Sequence, residues 1–206
     1  MFPRVYPILD TALALARGYE PVDLARRFFD GGATLLQLRA KDAAASDFLR
    51  WADAICAAGR RAGATVIIND RLDIAMMAGA DGVHVGQEDL PPAAVREVLQ
   101  GAPMQVGLST HTRDQIASAA GEPVDYIAIG PVFGTGTKDT GYEPVGLEMV
   151  RAAAAGSGGR PVVAIGGITL ENAPSVIAAG ASSVAVIADL LAGGDPAVRI
   201  RQYLRV

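Results

Sequence analysis

In the stretch TLLQLRAKD, residues 34–42, Gln37, Arg39 and Lys41 recur at every second position, with Leu36 and Leu38 between them. Side chains alternate across a strand, so an amide, a guanidinium and an ammonium would share one face. Both cations suit phosphate oxygens, the guanidinium as a planar fork and the ammonium as a point charge. Other chemistry-bearing residues close other short apolar runs. Asn69 and Asp70 end the run in IINDRLD, Gln87 and Asp89 lie in GQED, and Ser109 and His111 lie in GLSTHT. Thr135, Thr137 and Lys138 lie in FGTGTKDTG, Gly166 and Gly167 close PVVAIGG, and Ile187 and Ala188 close SVAVIA.

Asp70 and Asp89 would bring like charge to one rim, which is costly unless a cation joins them. Mg²⁺ takes one or two carboxylates and completes its shell with waters and substrate phosphates. Arg39, Lys41 and Lys138 would hold the phosphate oxygens that the metal leaves. The loop FGTGTKDTG offers hydroxyls and backbone amides but does not match GxxxxGK[ST], so no Walker nucleotide site is implied. The glycine pair at 166–167 and the start of the loop at 187–188 suit a monophosphate. Two anion sites of different design facing one mouth suggest a diphosphate and a monophosphate bound together.

Each residue also has a plainer reading. Asp70 and Asp89 precede helices and could cap them. Arg39 and Lys41 could be snorkelling surface residues, and Gly166–Gly167 a tight turn. His84, inside an apolar strand, reads as a hydrogen-bonded core residue. His111, on a loop, suits a site or a structural role equally.

The elements that would position these residues follow from periodicity. Strands are expected at 4–9, 34–40, 65–69, 82–86, 104–109, 126–132, 161–167 and 183–188, with helical segments between them, such as 46–63 and 91–101. Several helices would close on Gly63, Gly79, Gly101 and Gly180. Eight strand–helix units averaging roughly 25 residues are at the low end for a (β/α)8 TIM barrel, an α/β fold whose site lies at the C-terminal ends of the strands. A doubly wound open sheet is the competitor. No GxGxxG follows the first strand and the units run evenly to the end, so a single barrel domain over residues 1–206 is expected.

Composition narrows the classes. The chain has 206 residues, half of them apolar, which argues against disorder. A net charge of −4 without a long basic run argues against a nucleic-acid partner. Cys56 is the sole cysteine, no apolar run is long enough for a membrane helix, and the first ten residues do not read as a signal peptide. A cytoplasmic protein with no membrane partner is expected; oligomeric state is not legible.

In order, QLRAK, IINDRLD, ADGVHVGQEDL, GLSTHT, IAIGPVFGTGTK, AIGGI and VAVI resemble the thiamine phosphate synthase family from the first strand to the last. The resemblance implies a Mg²⁺-dependent transferase with two small phosphorylated substrates. It would condense 4-amino-2-methyl-5-hydroxymethylpyrimidine diphosphate with a thiazole phosphate, giving thiamine phosphate and pyrophosphate. Gln37, Arg39, Lys41, Asn69, Ser109 and Lys138 would bind the pyrimidine substrate, with Arg39, Lys41 and Lys138 catalytic. Asp70 and Asp89 would hold the metal. Thr135, Thr137, Gly167, Ile187 and Ala188 would bind the thiazole phosphate. The C–O bond would ionise before the thiazole nitrogen attacks. The chain departs from the family at Ala40, where relatives often carry an acid, and at Ala188, where they often carry Ser. A thiazole tautomerase-like isomerase and a non-catalytic phosphate-binding barrel are the alternatives. Whether the loop 133–141 closes as a lid is not legible in the sequence; closure is a hypothesis drawn from its glycine content and charged tip.

Overall fold

The computed structural model describes residues 2–134 and 142–206. Among these residues, eight parallel strands close into a barrel in sequence order. They are β1 (Val5–Asp10), β2 (Leu35–Arg39), β3 (Thr65–Asn69), β4 (Gly82–Val85), β5 (Gln105–Thr110), β6 (Tyr126–Ile129), β7 (Val162–Ile165) and β8 (Ser183–Val186). Two helices, α1 (Thr11–Ala16) and α2 (Pro21–Asp30), follow β1. Then come α3 (Ala45–Ala62), α4 (Leu72–Met77), α5 (Pro92–Leu99), α6 (Arg113–Ala119), α7 (Gly146–Gly156) and α8 (Ala173–Ala178), one after each of the next strands. A single 3-10 turn (Ala188–Leu191) and α9 (Pro196–Tyr203) complete the ring, and the barrel expectation holds.

Period two in the strands divides the core. Val5 and Leu9 of β1 face the helices and join the large apolar layer, as do Leu36 and Leu38 of β2. Tyr6, Ile8, Leu35, Ile67, Tyr126, Ala128, Val163 and Ala185 face inward as a second cluster that fills the barrel. The helices complete the outer layer through the 3.6 period. In α2 the buried positions are Pro21, Leu24, Ala25 and Phe28, one stripe along the helix. Burying each Leu or Phe of such a stripe stabilises the fold by about 1.5–3 kcal/mol. Among the described residues, no helix is long and apolar enough to cross a membrane.

Several strands stop earlier than the sequence suggests, all on the site side. β2 ends at Arg39, so Lys41 lies in the following turn, off the face it was expected to share. β6 ends at Ile129, before the cis Gly130–Pro131 bond. β8 ends at Val186, and Ile187 and Ala188 open the 3-10 turn instead of extending the strand.

Candidate active site

The inward positions change character along the strands, apolar or small at one end and polar at the other. β1 runs Tyr6, Ile8, Asp10, β2 runs Leu35, Gln37, Arg39, and β3 ends Ile67, Asn69. A cavity of about 440 Å³ opens among the polar ends, within the usual size of small-molecule sites. Gln37, Arg39, Asn69, Ser109, Gly167, Ile187 and Ala188 all line it. Register pairs Asp10 with Arg39 across β1 and β2. Arg39 Nη1 donates to Asp10 Oδ2, and both side chains are largely buried. Asp10 Oδ1 also accepts from the Leu13 amide, capping α1. One carboxylate thus fixes the cavity-lining guanidinium and starts the helix. Arg39 Nε is buried without a hydrogen-bond partner among the described residues.

A chain of hydrogen bonds crosses the barrel interior at the floor of the cavity, which Tyr6, Gln37, His84 and Ser109 line. Gln37 Nε2 donates to Tyr6 Oη at 3.0 Å, and Tyr6 Oη lies 2.9 Å from Tyr126 Oη. Tyr126 Oη lies 3.0 Å from His84 Nδ1, and His84 Nε2 lies 2.9 Å from Ser109 Oγ. Burial pushes the Tyr6 phenol well above its ordinary value, with its hydrogen bonds to Tyr126 and Gln37 only partly offsetting this. Burial, and then the neighbouring Tyr6, push Tyr126 up as well. His111 is held separately: Nδ1 lies 2.6 Å from the Gly130 carbonyl, and the ring stacks on Tyr142 with centroids 4.0 Å apart.

The loops after β7 and β8 form a backbone-lined wall. Gly166 and Gly167 have φ of 102° and 62°, and the loop after β6 lies directly against them. A Cβ on Gly166 would come within 2.5 Å of Pro131, and one on Gly167 within 2.5 Å of the Gly134 carbonyl oxygen. Only glycine meets both demands at each position. Asn172 ties the turn down, donating from Nδ2 to the Gly167 carbonyl at 3.0 Å. Arg17 also lines the cavity. Asp189 does too, but Arg199 neutralises it through bonds of 2.8 and 2.7 Å to its two oxygens.

Residues 5–190 match the family described as Thiamine monophosphate synthase. The chain belongs to that family. It is 45% identical over 185 residues to the thiamine-phosphate synthase of Chlorobium phaeovibrioides, covering 90% of this chain and 88% of that one. Over 202 residues it is 41% identical to the thiamine-phosphate synthase of Moorella thermoacetica, covering 98% and 94%. The solved thiamine phosphate pyrophosphorylase from Pyrococcus furiosus superposes with a TM-score of 0.87 at 28% identity, covering 98% of this chain and 94% of that one.

Against the thiamine monophosphate synthase pattern, the three remaining described positions lie apart from the cavity lining. Lys41 Nζ is 4.0 Å from Asp70 Oδ2 in the turns after β2 and β3. Asp89 lies after β4, where its Oδ2 accepts from the Gly86 amide at 2.7 Å. Neither aspartate caps a helix: the N-caps of α4 and α5 are Arg71 and Pro91, neither with a side-chain cap bond. Asp70 instead holds the left-handed backbone conformation, φ 62°. Asp tolerates that conformation better than most residues, and such strain tends to gather at functional sites. Thr135, Thr137, Lys138 and most of the loop 133–141 lie outside the described residues. Sequence reasoning missed Asp10, Tyr6, Tyr126 and Arg17. The polar end of PILD was the only local signal for the first, and inward period two the only one for the tyrosines.

Proposed function

We propose that this chain is a transferase that joins 4-amino-2-methyl-5-hydroxymethylpyrimidine diphosphate to a thiazole phosphate, giving thiamine phosphate and pyrophosphate. The observation that carries this reading is one cavity lined both by Gln37, Arg39, Asn69 and Ser109 and by the backbone at Gly167, Ile187 and Ala188. The first group suits the pyrimidine diphosphate. The second suits the thiazole phosphate, for which Thr135 and Thr137 are the further candidates by sequence. Lys41 and Lys138 add charge to that of Arg39. Ala188 offers no hydroxyl to the phosphate, so backbone N–H groups carry that contact.

Asp70 and Asp89 would hold Mg²⁺. They follow the neighbouring strands β3 and β4, which pair in register. Among the described residues no group of three or more His, Cys, Asp or Glu is assembled. A two-carboxylate donor set fits Mg²⁺, whose remaining positions go to waters and substrate phosphates. When bound, the ion supplies charge neutralisation at the diphosphate oxygens.

The reaction needs no nucleophile–base pair on the protein. The pyrimidine C–O bond breaks, its electrons leave with pyrophosphate, and the thiazole nitrogen forms the new C–N bond. Arg39, Lys41 and Lys138 stabilise the charge that gathers on the leaving group. Asp10 holds Arg39 in place for that task, as a positioning residue. The grip at Gly167 and Ala188 aligns the thiazole with the reacting carbon. The test is pyrophosphate release by the purified chain with both substrates, in Mg²⁺ and in EDTA. Release that requires the metal and the thiazole phosphate, with thiamine phosphate formed alongside, supports the reading. Binding of thiazole phosphate without release in either condition would replace it with an isomerase or a silent binding barrel.

A further inference from the structure

We infer that a fixed order of protons across the barrel interior makes the Ser109 hydroxyl a hydrogen-bond donor into the cavity, with His84 as the positioning residue that enforces it. The inference rests on the reading of Ser109 as a contact for the pyrimidine substrate, and names the polarity of that contact.

The order follows from counting donors. Gln37 meets Tyr6 through Nε2, which can only donate, so the Tyr6 oxygen accepts. The single Tyr6 proton is then used if it points to Tyr126, 2.9 Å away. Tyr126 accepts it and turns its own proton onto His84 Nδ1 at 3.0 Å. An Nδ1 that accepts leaves the neutral imidazole proton on Nε2, which donates to Ser109 Oγ at 2.9 Å. Ser109, having accepted, has its proton free for an acceptor atom on the substrate. Reversing the order strands a proton: Tyr6, only 1% exposed at the cavity floor, would accept from both Gln37 and Tyr126, leaving its own hydroxyl hydrogen with no protein acceptor among the described residues. A doubly protonated imidazole fails for the same reason.

Two further features agree. A Cβ on Gly107 would lie 2.1 Å from Tyr126 Cζ and 2.6 Å from His84 Nδ1, so the bare glycine is what lets phenol and imidazole meet. Burial raises both tyrosines above their ordinary values, which keeps the proton count constant through neutral pH.

The decisive measurement is ¹⁵N NMR of the imidazoles in the wild-type chain. There are two histidines. His111 serves as the internal contrast, because its Nδ1 faces a carbonyl and must carry the proton there. His84, identified by the signal lost in His84→Gln, is expected to be neutral and protonated on Nε2. A proton on His84 Nδ1, alone or with Nε2, overturns the proposal without reference to any variant. Kinetics supply the second arm. Tyr126→Phe keeps the ring packing but releases the tautomer, and should lower kcat/KM for the pyrimidine diphosphate by about fivefold, the scale of one hydrogen bond. In a Ser109→Ala background the same substitution should cost nothing more. Equal losses in both backgrounds, or none in either, would overturn the assignment to His84. Product formation with the wrong tautomer sinks the proton order alone; the expected tautomer in a chain that makes no thiamine phosphate upholds the order and sinks the functional reading.

Discussion

Arg39 is the cavity side chain whose environment is best defined, and Asp10 defines it. The two side chains are only 14% and 8% exposed, so neither charge is easily rehydrated if the other is lost. Asp10→Asn keeps an oxygen that can cap α1 but leaves the guanidinium without its counter-charge. Stability should fall by about 2 kcal/mol, below the usual cost of deleting a buried partner outright, because the amide still accepts a hydrogen bond. Urea unfolding checks this as a lower midpoint at unchanged slope. Lys41 behaves differently. Its side chain is half exposed and 4.0 Å from Asp70, so it contributes little to the fold. Lys41→Ala should leave thermal unfolding nearly unchanged and Asp70→Ala should cost about 1 kcal/mol, because Ala tolerates the positive φ less well than Asp, while each lowers turnover about a hundredfold, the scale of one preorganised electrostatic contact. Wild-type turnover in both variants would remove them from the site.

At the scale of elements, period two made Gln37 and Arg39 legible, because two residues of one strand suffice to define a face. It failed at Lys41, because the strand stops at Arg39 and alternation has no meaning in the turn that follows. The partners of these residues were not legible. Asp10 meets Arg39 only through the register of β1 on β2, and Tyr6 meets Tyr126 across 120 residues of chain. Such pairs depend on closure of the barrel, which no local window contains. The Gly166–Gly167 turn was readable as glycine but not as a close approach, since the Pro131–Gly134 segment that requires it comes from another loop. That approach supports a prediction. Gly167→Ala should weaken binding of the thiazole phosphate by at least tenfold and cost about 1–2 kcal/mol of stability from its positive φ and the clash with Gly134. Calorimetric titration with each substrate separately would show the pyrimidine diphosphate bound as before. Equal loss for both ligands would mean that the turn supports the whole mouth and not one wall of it.

Over the whole molecule, the strongest ionisation effects described belong to groups that burial keeps neutral. Burial pushes the Cys56 thiol on α3 from its ordinary 9.0 up to about 12, against an opposing pull from Arg60. Tyr6 and Tyr126 inside the barrel and Tyr203 beside Asp189 are raised above their ordinary 10.0, again chiefly by burial. Each group holds its proton more tightly folded than unfolded, so the unfolded chain ionises first as pH rises. The stability linked to them is therefore complete below pH 9.0 and is lost above it, Cys56 leading and the tyrosines joining above 10.0. Each group at full effect removes about 1.4 kcal/mol per pH unit. The urea midpoint should be level from neutral pH to the thiol's ordinary value, then fall, and steepen once tyrosine ionisation begins. Cys56→Ala should erase the first part of that fall and leave the steeper part, because the tyrosines lie in the barrel and on α9 and the thiol on α3. A midpoint that stays level through the tyrosine range would mean that the barrel interior admits enough water to solvate a phenolate, and the hydrogen-bond chain from Gln37 to Ser109 would then not hold its protons in a fixed order.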